Sequence, residues 1–408
     1  MSAITIRADA GKVTGTVGLP LSKSISNRAL IISALSRESV HPGELSSAED
    51  TVMLKDILPR CATTDTCELD AGNAGTVFRF LTAYLAATPG EYLLEGHTRM
   101  HERPIAPLVD ALHQLGAEIE YTGKRGFPPL RIRGKKLKGG KVSISPGLSS
   151  QFVSALMMIG PAMPGGLAIT IESTPGSLPY IEMTAQMMLR AGAEINSGPH
   201  AIHISGSGYG NARLPSEADW SAAAFWYQLL ALSCGESLLL EGLIQDSIQG
   251  DKRSVEYFRP LGIETSFTGE GALITKSADR VKYIHLNLKD CPDLAPPLIL
   301  TAAASGIRGE FHGLEALRAK ESDRLKALAA ELEKAGVKCD VTSGSITFQP
   351  QKMTIPKAFD TYGDHRLAMA FAPLAILGSP VTIKDASAVN KSYPGYWKEL
   401  KKITAAKA

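Results

Sequence analysis

The stretch Leu112-His-Gln-Leu-Gly-Ala-Glu-Ile-Glu120 returns, with variation, as Met188-Leu-Arg-Ala-Gly-Ala-Glu-Ile195, Phe258-Arg-Pro-Leu-Gly-Ile-Glu-Thr265 and Leu332-Glu-Lys-Ala-Gly-Val-Lys-Cys339. Each copy reads as the last turn of an amphipathic helix, a glycine at a left-handed C-cap, and the start of an alternating strand. The glycines Gly116, Gly192, Gly262 and Gly336 lie 70–76 residues apart, a period that marks internal duplication. A second strand is expected after each, at 130–133, 201–205, 272–275 and 345–349. Another helix is expected between copies, over 73–87, 149–160, 220–233, 295–304 and 365–377. The unit therefore mixes strands with two helices, and about six copies fill the chain, the first and last poorly marked.

With 408 residues, the chain is long enough for two or three domains. Its net charge of +2 provides no global field for nucleic acid or a membrane surface, so any anion site is local. The 5 cysteines are scattered and form no C-x-x-C pair, which fits a reducing compartment and excludes a disulfide or zinc framework. No signal peptide, transit segment or membrane-spanning run is apparent, so the expected location is cytoplasmic. Gly206-Ser-Gly-Tyr-Gly210 follows a strand but opens no helix, which argues against dinucleotide binding, and no P-loop is present. The link Leu214-Pro-Ser-Glu-Ala-Asp219 divides the copies into two sets, and a similar Gly-Leu-Pro link precedes Leu21. The expected domains are therefore 21–217, and 1–20 together with 218–408, with the chain crossing between them twice.

The chemistry gathers where helices begin. In Leu21-Ser-Lys-Ser-Ile-Ser-Asn-Arg-Ala-Leu30 a short apolar strand signal (Val13, Val17, Leu19) runs into Pro20, and Ile25, Ala29 and Ile32 share one helix face. Free N–H groups at a helix start attract anions, and Lys23 and Arg28 add charge there; a capped surface helix with solvated charges is the plainer alternative. Gly72-Asn-Ala-Gly-Thr76 lets backbone approach an oxyanion closely. Within His97-Thr-Arg-Met-His-Glu-Arg103 the H-x-x-x-H spacing lacks a third metal ligand, whereas Arg103 suits a carboxylate or phosphate. Ser149-Ser-Gln-Phe152 and Ser177-Leu-Pro-Tyr180 place hydroxyls before helices. In the second half, Asp290-Cys-Pro-Asp293 precedes an apolar helix, and Lys320 and Arg324 stand one turn apart at the start of another. Arg366, in Tyr362-Gly-Asp-His-Arg366, repeats that placement, and Lys391-Ser-Tyr-Pro394 closes the series. Cations at a positive helix end cost stability, which points to an anionic ligand as their reason. If the halves face each other, Lys23, Arg28, Arg103, Lys320, Arg324, Arg366 and Lys391 collect in one cleft suited to several negative charges. Asp293 and Glu321 among them are candidates for moving protons.

Ser22-Lys-Ser-Ile-Ser-Asn-Arg28, Gly72-Asn-Ala-Gly-Thr76, His101-Glu-Arg-Pro104, Ser149-Ser-Gln-Phe152, Lys320-Glu-Ser-Asp-Arg324, Gly363-Asp-His-Arg366 and Lys391-Ser-Tyr-Pro394 stand in the order found in a known family. Over nearly its whole length the chain resembles the 5-enolpyruvylshikimate-3-phosphate synthases (3-phosphoshikimate 1-carboxyvinyltransferases) of the enolpyruvyl transferase family. The resemblance implies an inverse α/β fold: two domains, barrel-like, each of three βαβαββ repeats, joined by two crossovers. It also implies transfer of the enolpyruvyl group of phosphoenolpyruvate to the 5-hydroxyl of shikimate 3-phosphate, in aromatic amino-acid biosynthesis; separately from the resemblance, a monomer is expected. No metal and no organic cofactor is implied, and no nucleic acid or membrane partner.

Carried over residue by residue, the resemblance gives Lys23, Ser24, Arg28, Ser149, Ser150, Gln151 and Ser177 to shikimate 3-phosphate, with Tyr180 beside them. Gly75, Arg103, Arg324, Arg366 and Lys391 go to phosphoenolpyruvate, which Lys23 and Gln151 also reach. Asp293 becomes the general base on the shikimate hydroxyl, with Lys320 nearby, and Glu321 the proton donor to C3. Closure on ligand binding is expected, because the clustered cations should repel one another in the open form. Two departures stand out: Ala316 replaces a frequent Asn, losing a contact to shikimate phosphate, and Phe80 replaces a frequent Pro, altering the phosphoenolpyruvate pocket. Two rival readings remain. One is the sister enolpyruvyl transferase acting on UDP-N-acetylglucosamine, disfavoured because residues 91–103 hold no cysteine. The other is a non-catalytic anion-binding regulator, disfavoured by Asp293 and Glu321.

Overall fold

A computed structural model describes residues 2–7, 13–37, 39–62, 66–145, 149–173, 176–198, 200–378 and 380–404. The chain forms two compact units, one of residues 1–21 with 217–408 and the other of residues 22–216.

Within the 22–216 unit, Thr66–Asp70 pairs parallel with Gly90–Glu95, which pairs antiparallel with Leu130–Gly134, and that strand with Glu118–Tyr121. Gly140–Ile144, Leu167–Ile171, Ala201–Ile204 and Ile195–Ser197 repeat the same order and directions. Val40–His41 and Ala212–Arg213 make a shorter parallel pair. The other unit repeats the scheme. Thr16–Val17, Ser237–Glu241, Gly271–Lys276 and Ile263–Phe267 form one sheet. Tyr283–Asn287, Arg308–His312, Ile346–Phe348 and Asp340–Val341 form the next. Ala358–Phe359, Val381–Lys384 and the N-terminal strand Ala3–Ile6 complete the set. The repeat is thus a parallel β-α-β crossover followed by a helix and a hairpin, as the period implies.

The glycines that open each hairpin segment behave as their position demands. Gly116, Gly192, Gly262 and Gly336 have φ between +80° and +86°, a conformation an L side chain resists. The crossover helices are the most enclosed elements. Gly75–Ala87, Trp220–Leu232 and Ala295–Ala304 are buried nearly all round, as their uninterrupted apolar sequences require, whereas strands such as Leu130–Gly134 alternate between buried and exposed positions. The layering is therefore helices inside and sheets outside. Two expectations change in detail. The strand before the first helix is only Thr16–Val17. The helix Lys23–Leu35 is no surface helix, since Ile25 through Ile32 are all buried, Asn27 and Arg28 included. Among the described residues no helix is long and apolar enough to cross a membrane.

Candidate active site

In the 22–216 unit, Ser22 caps the helix Lys23–Leu35 by accepting from Ile25 N at 3.5 Å. The first turn therefore presents Lys23 and Ser24, and one turn later Arg28 enters the core. Arg28 is only 1% exposed. Its Nε donates to Thr184 Oγ1 at 2.7 Å, its Nη1 to Ser24 O at 2.9 Å, and its Nη2 to Ser154 Oγ at 3.4 Å and Tyr180 O at 3.3 Å. Its planar face lies 5.3 Å from the Phe80 ring and 6.0 Å from the Tyr180 ring. Every one of these partners is neutral. Burial accordingly pulls the guanidinium down to about 10, with only the Tyr180 hydroxyl pushing the other way. A buried cation held by neutral oxygens can take an anion as its counter-charge. Phe80, the residue that departs from a frequent Pro, supplies one of the two rings against Arg28.

Lys23 is compensated differently: its Nζ lies 2.8 Å from Asp50 Oδ2, and both side chains are largely buried. Asp50 sits in the first turn of the helix Glu49–Ile57, and nothing in the sequence marks it as more than a helix-start acid. Gly75 opens the helix Gly75–Ala87, whose N-cap residue Ala74 makes no side-chain cap. A Cβ on Gly75 would stand 2.5 Å from Cζ of Arg103, so glycine is what admits the buried guanidinium to this helix end. Arg103 Nη1 also donates to Asn73 O at 3.3 Å. Ser149 caps the helix Ser150–Ile159 by accepting from Gln151 N at 3.4 Å. The Gln151 amide is held at both ends, donating to Thr76 Oγ1 at 2.8 Å and accepting from Arg79 Nη1 at 2.6 Å. Ser177 has φ +61°, a left-handed conformation rare outside glycine, and the helix Leu178–Arg190 that it precedes has no side-chain cap.

In the other unit one buried network gathers Asp293, Lys320, Glu321, Arg324 and Arg366. Asp293 stands on the single turn Pro292–Leu294 before the helix Ala295–Ala304. Its Oδ1 lies 3.2 Å from Lys320 Nζ and 2.9 Å from Arg324 Nη1, and its Oδ2 lies 3.0 Å from Arg366 Nη2. Arg324 is fully buried and also donates to Glu321 Oε2 at 3.0 Å. Its Nε and Nη2 reach both oxygens of Asp364, at 2.9 and 3.1 Å. Burial alone would push the Asp293 carboxyl up, but Arg366, Lys320 and Arg324 outweigh it and hold it well below the usual carboxylate range. Burial also lowers the Lys320 ammonium, against the pull of Asp293. Lys391 lies on the turn Ala386–Lys391, which packs on the helix His365–Phe371.

This network corrects the sequence reading of the cationic helix starts. Both helices do have their acid: Asp323 caps Arg324–Lys334 by accepting from Lys326 N, and Asp364 caps His365–Phe371 by accepting from Arg366 N. Arg324 and Arg366 are charge-paired within their own unit, so the expected mutual repulsion of open, uncompensated cations does not hold there. Asp364 stands within the Gly363-Asp-His-Arg366 motif itself, where sequence alone marks it as no more than a helix-start acid. The carboxylates of Glu321 and Asp364 approach the His365 ring at metal-like spacing, yet both are hydrogen-bonded to Arg324, which already supplies the positive charge.

The chain is similar to known proteins over nearly its whole length. A family profile described as EPSP synthase (3-phosphoshikimate 1-carboxyvinyltransferase) matches residues 40–400. A 3-phosphoshikimate 1-carboxyvinyltransferase of Bacteroides fragilis is 42% identical over 398 residues, covering 96% of this chain and 95% of its own. One from Colwellia psychrerythraea is 34% identical, covering 97% and 98%. Among solved structures, EPSP synthase from Acinetobacter baumannii superposes with a TM-score of 0.79 at 21% identity, over 99% of this chain and 98% of that one. The enolpyruvyl transferase NikO from Streptomyces tendae gives 0.76 at 16%, over the same shares. The two structures establish the fold, and the profile and the closer sequences decide between enolpyruvyl transferases: this chain belongs to the EPSP synthase (3-phosphoshikimate 1-carboxyvinyltransferase) family.

Proposed function

We propose that the chain transfers the enolpyruvyl group of phosphoenolpyruvate to the 5-hydroxyl of shikimate 3-phosphate, acting as a cytoplasmic monomer in aromatic amino-acid biosynthesis. In the addition step the O5–C2 bond forms, the hydroxyl proton leaves and C3 gains a proton. In the elimination step the C2–O bond to phosphate breaks and C3 loses a proton, so no redox partner is needed. Family membership supports this reading, and the observation that carries it is Arg28, a buried guanidinium met, among the described residues, by hydroxyls and carbonyls only.

Lys23, Ser24, Arg28, Ser149, Ser150, Gln151 and Ser177 serve shikimate 3-phosphate in this reading. Gly75, Arg103, Arg324, Arg366 and Lys391 serve phosphoenolpyruvate. Asp293 is the general base and Glu321 the acid toward C3, with Lys320 close by. Asp293 is a weak base while three cations hold it. An incoming phosphate or carboxylate competes for Arg324 and Arg366, loosens their hold and raises the basicity of Asp293 when the substrate is in place. Exclusion of water then protects the intermediate and strengthens these interactions.

The test is phosphate release on mixing shikimate 3-phosphate with phosphoenolpyruvate. Glu321→Gln should keep both binding affinities and slow release by about 10²–10⁴. Release only with UDP-N-acetylglucosamine, or binding without release, would overturn the proposal.

A further inference from the structure

The sheet containing Tyr283–Asn287 and Arg308–His312, in the 1–21/217–408 unit, holds a second cluster of chemistry, on its solvent side and apart from Asp293 and its partners. Tyr283–Asn287 and Arg308–His312 pair parallel, with His285 directly opposite Glu310 and Asn287 opposite His312. Side chains two apart on a strand share a face, so His285, Glu310 and His312 all project to one side. His285 Nδ1 lies 3.4 Å from Glu310 Oε2, and the two imidazole centroids are 4.9 Å apart. One donor atom from each of the three residues lies within 4.8 Å of the other two.

We propose that His285, Glu310 and His312 form a binding site for one divalent first-row transition ion, with Zn²⁺, Cu²⁺ and Ni²⁺ favoured over Mg²⁺ and Ca²⁺. Two ligands about 2.1 Å from a tetrahedral ion stand about 3.4 Å apart, which is the separation of the His285 and Glu310 donors. Two imidazoles and one carboxylate select the borderline ions, because hard cations demand oxygen. The carboxylate is already oriented: Tyr283 donates its hydroxyl to Glu310 Oε2 at 2.9 Å, and Arg308 Nη2 donates to Oε1 at 2.6 Å. Supporting bonds of that kind fix a ligand's direction before the ion arrives. Strand register, which is set by the fold, brings the two histidines together, so no loop has to order around the ion. The ion ties together the two strands whose continuations bear Asp293 and Lys320–Glu321, and its binding free energy adds to the stability of the unit.

The experiment is Cu²⁺ and Zn²⁺ titration of the full, tag-free chain. The expected result is one Cu²⁺ per chain whose paramagnetic spectrum shows two imidazole nitrogens, displaced by Zn²⁺ and not by Mg²⁺, with Tm raised by Zn²⁺. His285→Asn and His312→Asn should each weaken Cu²⁺ at least about tenfold and lose the two-nitrogen pattern. Both should retain phosphate release and the Tm of the metal-free chain, which separates a lost ligand from a lost fold. The two-nitrogen spectrum persisting in the double variant, or no stoichiometric Cu²⁺ binding by the unaltered chain, would overturn the assignment whatever the outcome for enolpyruvyl transfer.

Discussion

Arg324 donates to both oxygens of Asp364, through Nε at 2.9 Å and Nη2 at 3.1 Å, with neither side chain reaching solvent. The same carboxylate caps the helix His365–Phe371 by accepting from Arg366 N at 2.9 Å. One acid therefore sets the direction of one arginine and the helix start of another. Asparagine caps a helix as well as aspartate does, so Asp364→Asn removes the charge and keeps the cap. Arg324 retains Asp293 and Glu321, and the expected loss is about 2 kcal/mol in denaturant unfolding, with the KM for phosphoenolpyruvate raised. A variant with unaltered stability would show that Asp364 only caps the helix.

Gly75 and Arg103 form a second linked pair, because a Cβ at position 75 would stand 2.5 Å from the guanidinium carbon. Gly75→Ala improves helix propensity, so folding should survive while Arg103 is pushed aside. Steady-state kinetics should show the KM for phosphoenolpyruvate rising about 10–100-fold with a smaller change in kcat, the signature of lost binding rather than lost chemistry. An unchanged KM would remove Arg103 from that subsite.

Lys23 faces Asp50 at 2.8 Å, and Lys23→Ala leaves that largely buried carboxylate without its ammonium partner. The single variant should lose about 1–3 kcal/mol of stability and bind both substrates more weakly. Adding Asp50→Asn should restore most of the stability and none of the affinity, which a double-mutant cycle on unfolding and on binding separates. Affinity returning with stability would mean that Lys23 acts through the fold alone.

The repeat was legible because its signals are local. A glycine at each C-cap and an alternating strand after it follow from backbone sterics, and Gly116, Gly192, Gly262 and Gly336 appear where the period puts them. Cationic and hydroxyl-bearing helix starts were legible for the same reason. The partners of those charges were not. Thr184 lies 156 residues from Arg28, and Asp364 lies 40 residues from Arg324. No local pattern tells a neutral buried cradle, as around Arg28, from a carboxylate-balanced one, as around Arg324. That difference decides which cation has its counter-charge within its own unit, as Arg324 does through Asp364. The contact between Phe80 and Arg28 is equally silent in the sequence, because it joins two helices 52 positions apart.

Asp251 is a buried acid that the sequence did not single out, on the turn Gly250–Arg253, accepting from the Ser221 hydroxyl. Burial, and next the charge of Asp293, push its carboxyl up to about 6, against Arg366 and Ser221, which pull it down. The folded chain thus holds this proton more tightly than the unfolded chain, where an aspartate titrates near 3.9. The contribution to stability is complete below about pH 4 and is lost as pH rises through about 6, a total of about 3 kcal/mol. Asp251→Asn keeps the neutral form at every pH, so its unfolding free energy relative to the unaltered chain should rise by about that amount between pH 4 and 7 and then stay flat. Any constant offset reports the changed hydrogen bond to Ser221, and only the slope reports the titration. A difference that does not vary over this range would mean that Asp251 is ionised in the folded chain at pH 4, with Arg366 outweighing burial.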